Sequence, residues 1–160
     1  MDDKFTPYDG HRYDVAESVG HQVFKLMQLM RREVETRMAR HGMTDAQWKP
    51  LWMIRSGRAT TAIELARETG IDAGAITRML DRVESKGLIE RVRSASDRRV
   101  VHLRLTAAGE EAAAHIPHVL AAVNNDFLAG FSERDWKQLL KLIERMSANG
   151  QALQAQQEAA

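Results

Sequence analysis

The chain has 160 residues, of which 44% are hydrophobic and 28% are charged, and its formal net charge at pH 7 is +1. This composition predicts a globular protein of one domain, or of two small lobes that share a core. No apolar run reaches the length of a membrane span, the first residues lack the order of a signal peptide, and the absence of cysteine excludes disulfides and thiol chemistry, so we expect a cytoplasmic protein.

The first third of the chain predicts a loose arm followed by one long helix. Residues 1–14 are polar and show no periodicity, which indicates a flexible N-terminal arm. Apolar residues then recur at steps of three and four over 15–40, as on one face of a helix, and Gly42 marks its end. A helix of this length is expected to pack against more than one small lobe.

Three shorter helices are predicted next, each with a polar residue suited to cap its first turn. Thr44 begins the second helix, Thr60 or Thr61 begins the third, and Asp72 begins the fourth. The third and fourth helices are separated by only a few residues. They therefore form a candidate helix-turn-helix.

A helix-turn-helix needs a small residue where its helices cross and a residue that tolerates positive φ in its turn. Ala66 and Gly70 have these positions and properties. Hydrophobic residues that fill the angle between the helices are Leu65, Ile71, Ile76 and Met79. Taken alone, Gly70 has a simple helix C-cap as an alternative explanation.

A basic β-hairpin follows directly, with predicted strands at 88–93 and 100–105. Residues 86–104 carry six basic and two acidic side chains, a local charge of +4, whereas residues 107–160 carry a charge of −3. Local positive potential attracts a phosphate backbone even when the net charge of the protein is small. The order of helix, turn, helix and hairpin predicts a winged DNA-binding module.

The remaining sequence predicts two apolar helices and a tail. Thr106 caps a fifth helix that Pro117 is expected to kink, and Ser132 begins a sixth. Residues 151–160 form a polar tail that we expect to be frayed. The predicted fold is mainly α, with about six helices and a small β-hairpin wing.

The hairpin also carries a family signature. Asp97, Arg99, Leu105, Thr106 and Gly109 match the pattern D-x-R-x5-L-T-x-x-G of the MarR family of winged helix-turn-helix transcriptional regulators. Residues 80–89 resemble the end of that family's recognition helix, and the resemblance extends over roughly residues 15–146.

The resemblance implies a homodimeric regulator, most simply a repressor, that binds a pseudo-palindromic double-stranded DNA operator. A helical dimerisation lobe would comprise 15–43 and 107–150, a winged helix-turn-helix lobe 44–106, and a C-terminal tail 151–160. The sequence shows no Gly-rich phosphate loop, no H-E-x-x-H metal motif and no cysteine nucleophile, so we expect neither an enzyme nor a cofactor.

DNA contacts are predicted at the start of the recognition helix and in the wing. Arg78 is placed to donate a bidentate pair to guanine, and Arg82 to bind a phosphate or, alternatively, to pair with Asp97 or Glu84. By analogy with the family, Arg99 reaches the minor groove. The candidate DNA-binding residues are Thr61, Asp72, Ala73, Gly74, Ala75, Thr77, Arg78, Arg82, Asp97, Arg98 and Arg99.

Regulators of this family commonly respond to small aromatic acids or phenols, which implies an effector pocket. An aromatic ring would stack on tryptophan, and a histidine or an indole N–H would donate to the carboxylate. The candidate residues are Ser18, His21, Asp45, Trp48, Trp52 and Asn124, although the two tryptophans are also explained as ordinary core.

Two other regulatory modes remain open from the sequence. His115 and His118, with His21 and His41, are candidates for a zinc site in a metal-responsive regulator of the same fold. A winged module can also serve protein contacts alone, although the basic wing argues against this use.

Overall fold

The computed structural model describes residues 5–97 and 99–158, which form two compact units, one ending at Val123 and one beginning at Asn124. In chain order the elements are α1 (Val19–Arg40), α2 (Asp45–Arg55), α3 (Ala62–Thr69), α4 (Ala73–Ser85), β1 (Ile89–Arg93), β2 (Val101–Leu105), α5 (Ala107–Ala113), α6 (Ile116–Phe127) and α7 (Glu133–Glu158). The predicted mainly helical fold with a small hairpin is confirmed. None of the helices in these described ranges is long and apolar enough to cross a bilayer.

The core of the first unit is built from one to three buried residues of each helix. The largest fully buried side chains come from α1 to α4 and from α6, and they include Met38, Leu51, Leu65, Ile76, Leu80 and Ile116. Each lies on the apolar stripe of an amphipathic helix, so burial of these stripes determines how the helices pack. The core thus lies beside the helix-turn-helix and holds α4 in place.

The first helix begins at Val19 rather than at residue 15 as predicted. Ser18 has extended backbone angles, and its side chain accepts a hydrogen bond from the His21 N–H, which makes it the N-cap. The predicted flexible arm is also attached here, because the Tyr8 hydroxyl accepts a hydrogen bond of 2.9 Å from the Val19 N–H. The ring of Tyr8 packs edge-on against Tyr13.

The predicted fifth helix is divided into α5 and α6. Pro117 lacks the N–H that would donate to the carbonyl of Ala113, so the regular hydrogen bonding ends there and resumes with the Val119 N–H bonded to His115 O. The expected kink at Pro117 is therefore a break between two helices.

The second unit contains the end of α6 and the whole of α7. Ser132 and Asp135 cap α7 through reciprocal hydrogen bonds, and the hydrogen bonds from Ser132 lower the pKa of Asp135. The helix continues to Glu158, whereas we predicted a frayed tail over 151–160. Glutamine, alanine and leucine are strong helix formers, and a single glycine at 150 costs only about 1 kcal/mol. The predicted division into lobes stays a prediction.

The wing is an antiparallel hairpin in which Ile89 pairs with Leu105 and Arg93 with Val101. Its inner face packs on the core through Ile89 and Leu103, which are buried. The Leu103 N–H also donates to Thr60 O across 2.7 Å. The hairpin is thereby joined to the residue that precedes the helix-turn-helix.

Candidate nucleic-acid interface

The turn between α3 and α4 has the geometry that the sequence predicted. Thr61 caps α3 by accepting from the Glu64 N–H, and the Glu64 carboxylate accepts in return from Thr60 and Thr61. These hydrogen bonds, those from Thr60 first, lower the pKa of Glu64, so its contribution to stability is lost only as pH falls through the lowered value. Gly70 then turns the chain with φ of 68°. Its left-handed conformation explains why glycine is required there.

The first turn of α4 is exposed, and its residues lie close to the side chains of Asp72 and Arg78. Asp72 caps the helix, and its Oδ1 accepts a hydrogen bond of 2.9 Å from the Ala75 N–H. A methyl group on Gly74 would lie 3.2 Å from Asp72 Oδ1 and 3.5 Å from Arg78 Nη1. The Arg78 guanidinium therefore lies over the glycine, at the end of the helix that carries the partial positive charge of the helix dipole.

The other candidates on α4 are also on the surface. Ala73, Thr77 and Arg78 are exposed, and the Thr77 hydroxyl donates to Ala73 O. Because this hydroxyl already donates within the helix, its oxygen remains available only as an acceptor, and its methyl group is available for a thymine. The face thus offers one long cation among small side chains.

Arg82 and Arg91 differ from each other in their partners. Arg91 donates to Asp81 across 2.7 Å and to Glu84 across 2.6 Å, so its charge is neutralised within the chain. The reason is that β1 packs beside α4, which brings this arginine between two acidic residues. Arg82 is exposed, and no carboxylate in the described part of the chain lies within ion-pair distance of it.

The wing turn is held by hydrogen bonds to its own backbone. The Ser94 N–H donates to Val100 O across 2.9 Å, and Asp97 Oδ1 accepts from the Arg99 N–H across 2.9 Å. Asp97 therefore shapes the turn from which the exposed Arg99 side chain projects. Arg98, another candidate DNA-binding residue, lies outside the described residues.

Two of the predicted effector residues contain buried polar atoms without partners. Asp45 Oδ2 accepts from Lys49 across 2.6 Å and lies 3.6 Å from an Arg31 nitrogen, but Asp45 Oδ1 is buried and unpaired. The Nε1 of Trp48 is likewise buried and unpaired among the described atoms. A buried donor without an acceptor is costly, which marks this end of α2 as a place where a ligand group would be stabilising.

Ser18 and His21 are not brought to this end of α2 within the chain. Arg31 marks where α1 passes Asp45, and His21 lies ten residues earlier, about 15 Å away along the helix. Ser18 is buried and its hydroxyl is used for capping. Trp52 is half-buried, and Asn124 is exposed at the start of the second unit.

Two of the four histidines considered for a zinc site, His41 and His115, form a ring stack. The imidazoles of His41 and His115 lie 4.7 Å apart and within 18° of parallel. Their nitrogen lone pairs lie in the ring planes, so two parallel rings do not direct them at one point, as a tetrahedral zinc site requires. The described ranges contain no group of three or more suitable ligands, and His21 is on a distant turn of α1.

Comparisons with known proteins agree with this geometry. The model of the MarR family matches residues 43–101. The transcriptional regulator PA3341 is 30% identical, covering 84% of this chain and 99% of its own, with a TM-score of 0.77. A cysteine-to-serine variant of MarR from E. coli, solved in complex with operator DNA, is 27% identical, with 80% of this chain and 92% of that chain covered and a TM-score of 0.71.

A third structure, of BpsR from Bordetella bronchiseptica, shares the fold at 21% identity and a TM-score of 0.73, with 84% of this chain and 96% of that chain covered. The matched region of the family model spans α2, the helix-turn-helix and most of the hairpin. The family model matches this region, and the chain is 30% identical to PA3341 over nearly all of that protein. The chain therefore belongs to the MarR family of winged-helix DNA-binding transcriptional regulators.

Proposed function

We propose that the chain is a homodimeric repressor that binds a pseudo-palindromic operator and is released from it by a small aromatic acid or phenol. The observation that carries the proposal is the exposed recognition surface, in which Arg78, Arg82 and Arg99 project from α4 and the wing without a carboxylate partner among the described residues. Unpaired arginines on a helix–hairpin surface fit the major groove, the minor groove and the phosphates between them.

Apolar faces on two helices support the dimer. On α1, Val23 and Met27 are 45% and 64% exposed, and on α7, Ile143 and Met146 are 49% and 53% exposed. These residues are spaced three or four apart on their helices, so each helix has a continuous apolar stripe. Stripes of this kind on a folded chain indicate a protein interface.

A dimer would direct two copies of α4 at successive major grooves, about 34 Å apart. Selection from random double-stranded DNA tests this geometry. We expect an inverted repeat whose half-sites are centred about 10–10.5 base pairs apart. Enrichment of a single half-site, or of no sequence, would contradict a dimeric operator-binding protein.

The wing is tested by Arg99→Ala, which should weaken binding to the selected operator and to unrelated DNA alike. Minor-groove and phosphate contacts carry little sequence information, so we expect a loss of roughly tenfold in both affinities and a shallower salt dependence. The measurement is fluorescence anisotropy at several salt concentrations.

Arg78→Ala is the matched control, since it also removes one exposed guanidinium. A bidentate base contact is worth about 1–3 kcal/mol, so this variant should relax preference at one operator position and leave nonspecific binding nearly unchanged. Equal affinity of Arg99→Ala and wild type for the operator would rule out the proposed role of the wing.

The effector proposal rests on the indole N–H of Trp48, which is buried and has no acceptor among the described atoms. An aromatic carboxylate would accept from Nε1 in the plane of the indole, which removes the cost of the buried donor, and its ring would pack against Trp52 one turn along α2. BpsR is described as a regulator whose DNA binding is controlled by 6-hydroxynicotinic acid, an aromatic acid of this class. Binding would favour a spacing of the two recognition helices that does not match DNA, with a coupling of about 1–3 kcal/mol.

Thermal-shift screening of aromatic carboxylates and phenols should identify a stabilising ligand that also releases the operator. Trp48→Phe keeps a ring but removes the N–H, so we expect at least fivefold weaker ligand binding, about 1 kcal/mol, without loss of stability in the free protein. Trp52→Phe is the matched control and should bind nearly as wild type. Unchanged affinity in Trp48→Phe would exclude the indole as the donor.

A further inference from the structure

A second concave site lies in the first unit, away from the recognition surface. It has a volume of about 290 Å³ and is lined by Arg37, Arg40, His41, His115, His118, Val119 and Ala122, which we call the histidine pocket. Its volume lies close to the lower limit for ligand pockets, whose volumes range from roughly 300 to 1,000 Å³. We propose that the histidine pocket binds a small dianion, such as a phosphate monoester or a dicarboxylate.

The charge of the lining carries this proposal. All five polar side chains of the pocket are arginines or histidines, and no carboxylate is among its described lining residues. Arg37 donates to Glu33 across 2.7 Å, which orients its guanidinium and partly neutralises it. Arg40 is exposed at the end of α1 and forms no ion pair among the described residues.

The histidine stack places two ring donors side by side in the pocket. The rings of His41 and His115 are 4.7 Å apart, and Arg37, Arg40 and His118 add positive charge around them. A bound dianion would offset this charge and accept hydrogen bonds from the ring N–H groups.

The stacked rings of His41 and His115 direct their lone pairs along separate lines, which is unfavourable for sharing one metal ion. The histidine pocket is also separate from the unpaired atoms of α2 that support the aromatic effector, since neither Asp45 nor Trp48 lines it. A dianion here would bridge the end of α1 and the start of α6.

Sulfate is a suitable probe, because it is a small dianion with several hydrogen-bond acceptors. The experiment is a titration of the full-length protein with millimolar sulfate at constant ionic strength, with a chelator present, observed by NMR of the imidazole nitrogens. The resonances of His41, His115 and His118 should shift on binding, whereas those of His11, His21 and His102, which lie outside the pocket, serve as internal controls. We expect the three pocket resonances to follow one binding curve at millimolar sulfate.

Arg40→Gln and His118→Gln are both changes at exposed residues, and each should weaken sulfate binding about tenfold. The matched control is Arg12→Gln, which removes the same charge from a surface site lined by Asp9, Asp14 and Glu17 and should have no effect. Uniform small shifts of all six histidines, or equal affinity in the wild type and Arg40→Gln, would overturn the proposal. Loss of operator affinity in sulfate-free Arg40→Gln would do the same, because the pocket would then be a contact for DNA phosphate.

Discussion

Replacing Ile143 with glutamate is expected to give a folded monomer that binds the operator at least about 100-fold more weakly than the wild type. Ile143 lies at the centre of the apolar stripe of α7 and is 49% exposed in the single chain. A carboxylate there would be buried without a partner in the proposed dimer, which is strongly unfavourable. A monomer has only one recognition helix, so it loses the gain in affinity from binding two half-sites at once.

Sedimentation equilibrium and operator binding together check this expectation. Ala148→Glu is the matched control, because it adds the same charge to α7 about 140° around the helix from Ile143, on the polar face. Met27→Glu tests the stripe of α1 independently. If Ile143→Glu remains dimeric with wild-type affinity, α7 is not part of the dimer interface.

Gly109→Ala is expected to destabilise the protein by at least about 3 kcal/mol. Gly109 is buried at the start of α5, and a methyl group there would lie 1.9 Å from Leu88 O. The same carbonyl accepts a hydrogen bond from the Thr106 N–H. A shift of α5 to make room would break this hydrogen bond, which joins the residue before α5 to the residue before β1. Since a domain is stable by only about 5–15 kcal/mol, the loss should be large.

Urea unfolding at fixed protomer concentration measures the effect, because dimerisation contributes to apparent stability. Gly150→Ala is the control. Nothing lies within 4 Å of the added methyl group, and alanine is the better helix former, so this variant should gain about 0.5–1 kcal/mol. Wild-type stability in Gly109→Ala would show that α5 and β1 separate at little cost.

These contacts also explain the sequence signature that runs from Asp97 to Gly109. Asp97 accepts from the Arg99 N–H and shapes the wing turn, and Thr106 caps α5 while its hydroxyl donates to Gly87 O. Gly109 permits the close approach of α5 to Leu88. Within the signature, Arg99 is proposed to contact DNA and Asp97 stays a candidate contact, while Thr106 and Gly109 hold the wing and α5 in position.

Local features of the fold could be predicted because they depend on residues a few positions apart. The caps at Thr44, Thr61 and Asp72 and the left-handed Gly70 follow from backbone hydrogen bonding within one turn, and each lies where the sequence indicated. The fold class followed from these caps, from apolar periodicity and from the hairpin signature. The end of α7 was predicted too early, because polar glutamines were interpreted as a tail although they are good helix formers.

Contacts between distant segments could not be predicted, since no local pattern records which side chains meet. Only the folded structure places Arg91 between Asp81 and Glu84 and stacks His41 on His115. The sequence by itself therefore determined a winged helix-turn-helix and its exposed arginines, because short-range hydrogen bonds and periodicity specify both. The tertiary structure decided which arginines are neutralised within the chain, which buried polar atoms lack partners, and where a basic pocket forms, because these depend on packing between elements far apart in the sequence.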